Sequence, residues 1–486
     1  MNAPLLPALT EPDQREAIRF GQHTLTYRDL AGTAGWLARQ VTGAGRVAVW
    51  ADSSIHTCVA VVGCLLAGVP VVPINPKVGE RELTHIVNDS KPSAVLAAPG
   101  VTVPSALAGP RQVHVDIEAR EPWTGEEPPA DASALIVYTS GTTGSPKGVV
   151  LPRRALASNL DALSKAWEWT SEDVLVHALP LFHVHGLVLG VLGPLRLGGT
   201  VQHLGRFDPE GIGTALARTA TMMFGVPTMY QRLLASAEAD PELARALGRA
   251  RLLVSGSAAL PATVHERIHE VTGQRVVERY GMTETLMNCA IRASGDRRPG
   301  TVGPAVDTVD LRLVDETGQP QDVYDDETVG EIEVRGPNLF LEYLNRPDAT
   351  AAVFHDGWFR TGDMATRAAD GYYRIVGRRA TDLIKSGGYK IGAGEIENAL
   401  LEHPDVAEVA VTGEPDADLG ERVVAWVVPV GGRHPSEQEL TDHVARLLAP
   451  HKRPRTVRYL NELPRNDMGK VVKTRLIAPP AWSKDR

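Results

Sequence analysis

The chain has 486 residues, long enough for two or more domains with large cores. A formal net charge of −9, with no long Lys/Arg block, excludes a nucleic-acid surface of the usual kind, which is carried by a basic patch. Cys58, Cys64 and Cys289 have no metal-ligand spacing and are too few for a disulfide framework, so a reducing compartment fits.

Residues 1–10 are rich in Pro and Leu and lack the basic lead of a signal peptide. The most apolar long run, Gly186 to Leu195, is too short to span a bilayer and is interrupted by Pro194. A cytoplasmic protein without a membrane partner is expected.

From Arg46 to about Ile117, strand-length apolar runs (Val47–Trp50, Val69–Pro73, Ser93–Ala97) alternate with helical ones (Ile55–Ala67, Arg81–Asp89). That alternation predicts βαβ units and a parallel sheet. A further buried strand, Ala134–Tyr138, leads into Thr139-Ser140-Gly141-Thr142-Thr143-Gly144-Ser145-Pro146-Lys147-Gly148. Glycines let this backbone approach another molecule, the hydroxyls donate, Lys147 adds a cation, and the loop contains no acid. It is a chemical recipe for holding phosphate, although the spacing is not that of the common nucleotide loop.

A second βαβ succession follows. Strands are predicted at Val174–Leu179, Thr200–Leu204, Arg251–Val254 and Arg275–Glu278, with a buried helix over the apolar run after His183-Val184-His185. Beyond about Pro304 the texture becomes short alternating strands, such as Asp310–Val314 and Gly330–Val334, which predicts a β-rich subdomain. Near Arg378 a small α+β unit begins, with helices at Gly394–His403 and Glu437–Leu448.

The loop at Thr139–Gly148 resembles the signature of the acyl- and aryl-adenylating enzymes, the superfamily of acyl-CoA synthetases, peptide-synthetase adenylation domains and luciferases. Further stretches resemble that superfamily's motifs in the same order: Tyr280-Gly281-Met282-Thr283-Glu284, Trp358 to Asp363, Gly377 to Lys385, Ser386 to Ile391, and Pro464 to Lys470. The resemblance implies an α/β fold: a large N-terminal domain (1–379) of two βαβ sheet subdomains plus a β-rich subdomain, then a small mobile α+β C-terminal domain (380–486). It also implies ATP, Mg²⁺ and coenzyme A as reactants.

By the same resemblance, Thr139, Ser140, Gly141, Thr142, Thr143, Gly144 and Lys147 would hold phosphates. Ser257, Ala258, Glu278, Gly281 and Met282 would border the nucleotide, on whose adenine Tyr280 would stack. Thr283 would contact the α-phosphate, Glu284 would hold Mg²⁺, and Asp363 would accept both ribose hydroxyls. Arg378 or Arg379 would bind ribose, Lys385 would face the nucleotide, and the region of Thr381 and Asp382 would be the pivot. Lys470 would bridge carboxylate and α-phosphate, and Ser386, Gly387, Gly388 and Tyr389 would meet CoA. Lys470 would also be a target for a lysine acetyltransferase, since neutralising it removes that contact.

The superfamily resemblance does not name the acid. Arg279 stands where relatives usually carry glycine, which puts a guanidinium where the acyl group should lie. An unpaired buried cation is costly and Arg matches a carboxylate bidentately, so a second carboxylate on the substrate is expected. Arg232 and Ser257 are assigned to the same pocket, with His183 as its gate and wall, and Arg297 is attached to it by resemblance. The alternative is that Arg279 pairs with Glu278 or Glu284. Arg279 followed by Tyr280-Gly281-Met282-Thr283-Glu284 is similar to malonyl-CoA synthetases, which implies malonate or methylmalonate. A fatty or aryl acid CoA ligase and a carrier-loading adenylation enzyme stay open beside it.

Overall fold

The computed structural model describes residues 4–139, 146–378, 382–387, 389–433, 435–465 and 471–477. In its first sheet Glu342–Tyr343, Lys147–Pro152, Ser133–Thr139, Val71–Ile74, Val47–Trp50, Ala94–Ala97 and Arg111–His114 lie side by side in that order. The strands from Ser133–Thr139 to Arg111–His114 run parallel, as the alternation predicts. Val47–Trp50 and Val71–Ile74 are buried along their whole length, the mark of strands covered on both faces. Ser133–Thr139 and Lys147–Pro152, the strands flanking the phosphate-type loop, form an antiparallel pair with Thr139 opposite Lys147. Residues 140–145 of that loop lie outside the described residues.

The second sheet orders Leu286–Ala290, Val277–Met282, Leu252–Ser255, Met222–Gly225, Val174–His177, Thr200–His203, Glu16–Phe20 and His23–Thr26. Its six inner strands are parallel and both edges antiparallel. The N-terminal hairpin joins this second sheet, Ile18 pairing with Val201, and local sequence pattern carries no signal for so distant a partner. The apolar run predicted as a helix is one, but His185–Leu192 is a π-helix that passes into an α-helix at Gly193–Leu197.

The third sheet is antiparallel: Pro320–Gln321, Asp310–Val314, Gly330–Arg335, Trp358–Arg367 and Phe354–His355, with Tyr373–Arg378 also against Trp358–Arg367. The fourth contains Tyr389–Gly392, Leu383–Ser386, Gly420–Pro429, Val406–Asp416 and Thr456–Tyr459. Helices Ala393–Leu401 and Glu437–Leu447 close a separate apolar core against it, including Ile396, Val411 and Leu440. The expected boundary after residue 379 falls among residues 379–381, outside the described ones. Among the described residues no helix is long and apolar enough to cross a membrane.

The strand predicted to end at Glu278 continues to Met282 and folds back at 283–285 into Leu286–Ala290. Gly281 is required at this fold-back, because a Cβ there would lie 1.9 Å from the Leu286 carbonyl oxygen. Buried Asn159, on helix Arg153–Trp167, supports the hairpin's outer strand: its amide donates to the Met287 carbonyl at 2.7 Å and accepts from the Met287 N–H at 3.1 Å. Asn159→Ala strands both buried groups. It is expected to cost about 2–4 kcal/mol, read as a lower urea midpoint for unfolding of the large N-terminal part.

Candidate active site

The candidate site lies where the strands of the second sheet end at their carboxyl edge, the place where open α/β sheets present ligands. Alternation along Val277–Met282 sends Glu278 and Tyr280 to one side and Arg279 to the other. Glu278 is buried, accepting from the Leu260 N–H at 3.1 Å and the Gly300 N–H at 3.3 Å. Burial pushes its carboxyl up to about 7, against the lowering effect of both amides.

Arg279 is 5 % exposed, and its Nε and Nη2 have no hydrogen-bond partner among the described residues. Burial alone drives its guanidinium down to about 10. Neither acid next to it in sequence neutralises it: Glu278 faces away, and Glu284 accepts from the Tyr343 hydroxyl at 2.8 Å. The guanidinium lies over Gly256, where a Cβ would stand 2.3 Å from Cζ; only glycine lets the two meet.

Beside this arginine opens a cleft of about 250 Å³, lined by Ala178, His183, His185, Val226, Met229 and Ser257 among others. Ser257 holds a left-handed backbone (φ 71°), and its Oγ is 3.3 Å from His185 Nδ1. Burial first, then the charge of Arg279, keeps His185 neutral well below its ordinary range. Sequence reading named His183 and passed over His185; only the π-helix turn starting at His185 brings that ring to Ser257.

A second group of side chains lies across the same hairpin. The Tyr280 hydroxyl donates to Asp363 Oδ2 at 2.7 Å, and Arg378 Nε is 3.1 Å from Asp363 Oδ1. Lys147 Nζ stands 4.3 Å from the centre of the Tyr343 ring, whose hydroxyl reaches Glu284. Thr283 is buried beside it. Burial raises the carboxyl of Glu284, while the Tyr343 hydroxyl and the charges of Arg378 and Lys147 pull it back down. Among the described residues no three His, Cys, Asp or Glu side chains cluster as a metal cage, which leaves Glu284 as a lone carboxylate of the kind Mg²⁺ uses together with substrate phosphates.

Comparison with known proteins agrees with this geometry. The family model described as AMP-binding enzyme matches residues 7–344, and that of the AMP-binding enzyme C-terminal domain matches residues 395–470. The chain belongs to the AMP-binding enzyme family. A malonate–CoA ligase of Arabidopsis thaliana is 36% identical over 500 residues, covering 94% of this chain and 80% of that one. A malonyl-CoA ligase solved as a ternary product complex with methylmalonyl-CoA and AMP is 62% identical, with TM-score 0.75, covering 95% of this chain and all of that one. ATP-bound MatB of Rhodopseudomonas palustris is 36% identical with TM-score 0.89, covering 98% of each chain.

Several expectations for this AMP-binding enzyme need correction. Arg297 is not a pocket residue: it donates to Gln274 Oε1 and to the carbonyls of Arg275 and Ala293, so its guanidinium is spent on a backbone clasp. Arg232 lies one turn beyond Thr228 and Met229 on helix Pro227–Ala239, exposed and outside the cleft lining. Lys385 faces out between buried Ile384 and Ser386, its Nζ 3.4 Å from Glu316, away from the nucleotide group. Ala258 is exposed next to Ser257. Tyr389 is exposed and stacks on His451 at 4.0 Å, with Gly387 and Ser386 leading to it. Arg378 is the arginine joined to Asp363; Arg379, Thr381, Gly388 and Lys470 lie outside the described residues, as do Ser140, Gly141, Thr142, Thr143 and Gly144.

Glu278 sets a pH dependence. Its folded value of about 7 exceeds the ordinary 4.5, so the folded chain holds this proton more tightly than the unfolded one. The resulting stability is fully present below pH 4.5 and is lost as pH rises through about 7. Glu278→Gln carries no such proton. Unfolding free energies of the two proteins, followed from pH 4.5 to 7.5, are expected to shift relative to each other by about 3 kcal/mol in favour of the variant.

Proposed function

We propose that this enzyme ligates a small dicarboxylic acid, malonate or methylmalonate, to coenzyme A through an acyl-adenylate, consuming ATP and releasing AMP and pyrophosphate. One observation carries the choice of acid: Arg279 is buried, with two nitrogens unsatisfied and without a counter-ion among the described residues, beside a small cleft. A buried guanidinium costs several kcal/mol unless an anion meets it, and a carboxylate matches its fork. Ser257 and neutral His185 add uncharged polar atoms at the same wall. The names of the malonate and malonyl-CoA ligases above point to the same acid.

In this reading the reacting carboxylate of the acid attacks the α-phosphorus of ATP. The bond to pyrophosphate breaks, and the acyl group is left as a mixed anhydride with AMP. The work is positioning and charge stabilisation, with no side-chain nucleophile. Lys470 would bridge the attacking oxygen and the α-phosphate, and Lys147 and the Thr139–Gly148 loop would receive the departing phosphates. Asp363, steadied by Tyr280 and Arg378, has the carboxylate chemistry to take ribose hydroxyls. Mg²⁺, when bound, would spread the phosphate charge, with Glu284 as its protein ligand and Thr283 alongside.

In the second step the CoA thiol, losing its proton, attacks the acyl carbonyl and AMP leaves. The C-terminal unit (380–486) would turn about the segment near Asp382, taking Lys470 away and bringing Ser386, Gly387, Gly388 and Tyr389 to the CoA arm. The more similar product-complex sequence superposes less well (0.75) than the ATP-bound one (0.89), as expected if two bodies take two arrangements. A lysine acetyltransferase that neutralised Lys470 would stop the first step and spare the second.

The test is an acid panel with ATP, Mg²⁺ and CoA, read by the mass of the thioester and by AMP release. Malonate and methylmalonate should react, and acetate, butyrate and benzoate should not. In Arg279→Gly, malonate kcat/KM is expected to fall about 10²–10³-fold, the loss for truncating one partner of a buried charge pair, while the KM for ATP stays close to wild type. Unchanged malonate turnover in that variant would overturn the choice of acid.

A further inference from the structure

The C-terminal unit holds a half-buried ion group that the reaction scheme leaves unused. Lys473 Nζ lies 2.6 Å from Asp382 Oδ1 and 2.7 Å from Glu397 Oε1, all three side chains being largely covered. The two carboxylates sit on different elements. Glu397, on helix Ala393–Leu401, also accepts from the Val411 N–H at 2.7 Å. Asp382 stands where the third sheet gives way to the fourth, and its second oxygen accepts from the Arg378 N–H at 3.0 Å.

Asp382 thus bridges the two sides of the connection. Oδ2 grips the last strand of the third sheet, and the Asp382 N–H donates to the Arg378 carbonyl at 2.8 Å. Oδ1 grips Lys473, and the Asp382 carbonyl accepts from the Ala393 N–H at 2.9 Å. Gly377 is pressed against it so closely that a Cβ there would lie 2.4 Å from Asp382 Cβ. On the far side Arg378 pairs with Asp363. A continuous polar line therefore runs from Asp363 through Arg378 and Asp382 to Lys473.

Lys473 is three residues beyond Lys470 in the chain. The residues flanking 466–470 form a paired neck: Arg465 pairs with Val471, and the Val472 N–H donates to the Pro464 carbonyl at 2.7 Å. Apolar contacts at Leu463 and Leu476 seat the neck on Ala410, Val424 and Trp426. Those contacts hold the neck on its own sheet and do not reach the third sheet. Lys473 supplies the link that does.

We propose that Lys473 is a positioning residue for adenylation: through Asp382 it registers the segment bearing Lys470 to Arg378 and Asp363 on the other side of the hinge. Rotation for thioester formation then has to release the Asp382 bond to the Arg378 N–H, while Lys473 and Glu397 keep Asp382 with the C-terminal unit. The proposal rests on the reading of Lys470 given above.

The two half-reactions test it in the full-length enzyme. Step one is malonate-dependent exchange of labelled pyrophosphate into ATP. Step two is thioester release from preformed malonyl-adenylate and CoA. Lys473→Met and Asp382→Asn are each expected to slow step one by about ten- to hundredfold, with step two close to wild type, and Asp382→Asn should keep the thermal midpoint close to wild type. Lys473→Arg, which keeps the charge, should restore part of step one, and Lys473→Met/Asp382→Asn should be no slower than the worse single variant.

Lys473→Met leaves two carboxylates buried without their cation, which can unfold the C-terminal unit. Asp382→Asn leaves Lys473 and Glu397 as a balanced pair and carries the test alone if so. Equal losses in both steps, unchanged exchange in Asp382→Asn, or additive effects in the double variant would overturn the proposal. Failure of the wild type to form malonyl-adenylate at all would overturn the parent reading instead.

Discussion

The site depends on keeping one guanidinium, that of Arg279, buried and without a counter-ion among the described residues, against Gly256 and behind a small cleft lined by His185 and Ser257. Desolvating a cation is among the more expensive things a fold can do, and the surroundings here do little to relieve it. Gly256 provides the room, neutral His185 adds no positive charge, and both nearby acids are occupied elsewhere. Under the proposed function that cost would be recovered when an anionic group meets the guanidinium, which would favour doubly charged acids over those with an uncharged acyl tail.

The remaining polar groups sort themselves around the hairpin that carries Arg279. On its other face Tyr280, Asp363 and Arg378 form a hydrogen-bonded set, and at its tip Glu284 meets Tyr343 beneath Lys147. Under the proposed function, acid and nucleotide would thus be read from opposite faces of one strand. Asn159 satisfies the hairpin's outer strand from a helix, which keeps this double-sided strand rigid. Under the proposed function the turning point would follow Arg378, where the Asp382 carboxylate is shared between the Arg378 N–H and Lys473.

Much of this was legible in the chain itself. The βαβ alternation, the β-rich stretch and the final α+β unit all come from apolar periodicity, which local residues dictate. Boundaries at Val47–Trp50, Ile55–Leu66 and Asp310–Val314 match within a residue, because each run is bounded by turn residues. Arg279 stood out through the family resemblance, since relatives usually carry glycine just before the Tyr280–Glu284 motif. What periodicity cannot carry is pairing at long range: the N-terminal hairpin crosses to the second sheet, and Glu342–Tyr343 returns to the first.

Side-chain direction was likewise decided only in three dimensions. Arg232 and Arg297 have the same chemistry as Arg279, yet one points to solvent and the other to three oxygen acceptors, because helix phase and loop path set where a guanidinium ends. His185 reached the site, and Lys385 turned away from it, for the same reason. The sequence by itself determined which groups were available: a phosphate-type loop, a set of carboxylates and lysines, and one arginine out of place. Tertiary structure decided which of them remain unsatisfied when buried. That property belongs to the packed environment, and under the proposed function it is what would select the acid.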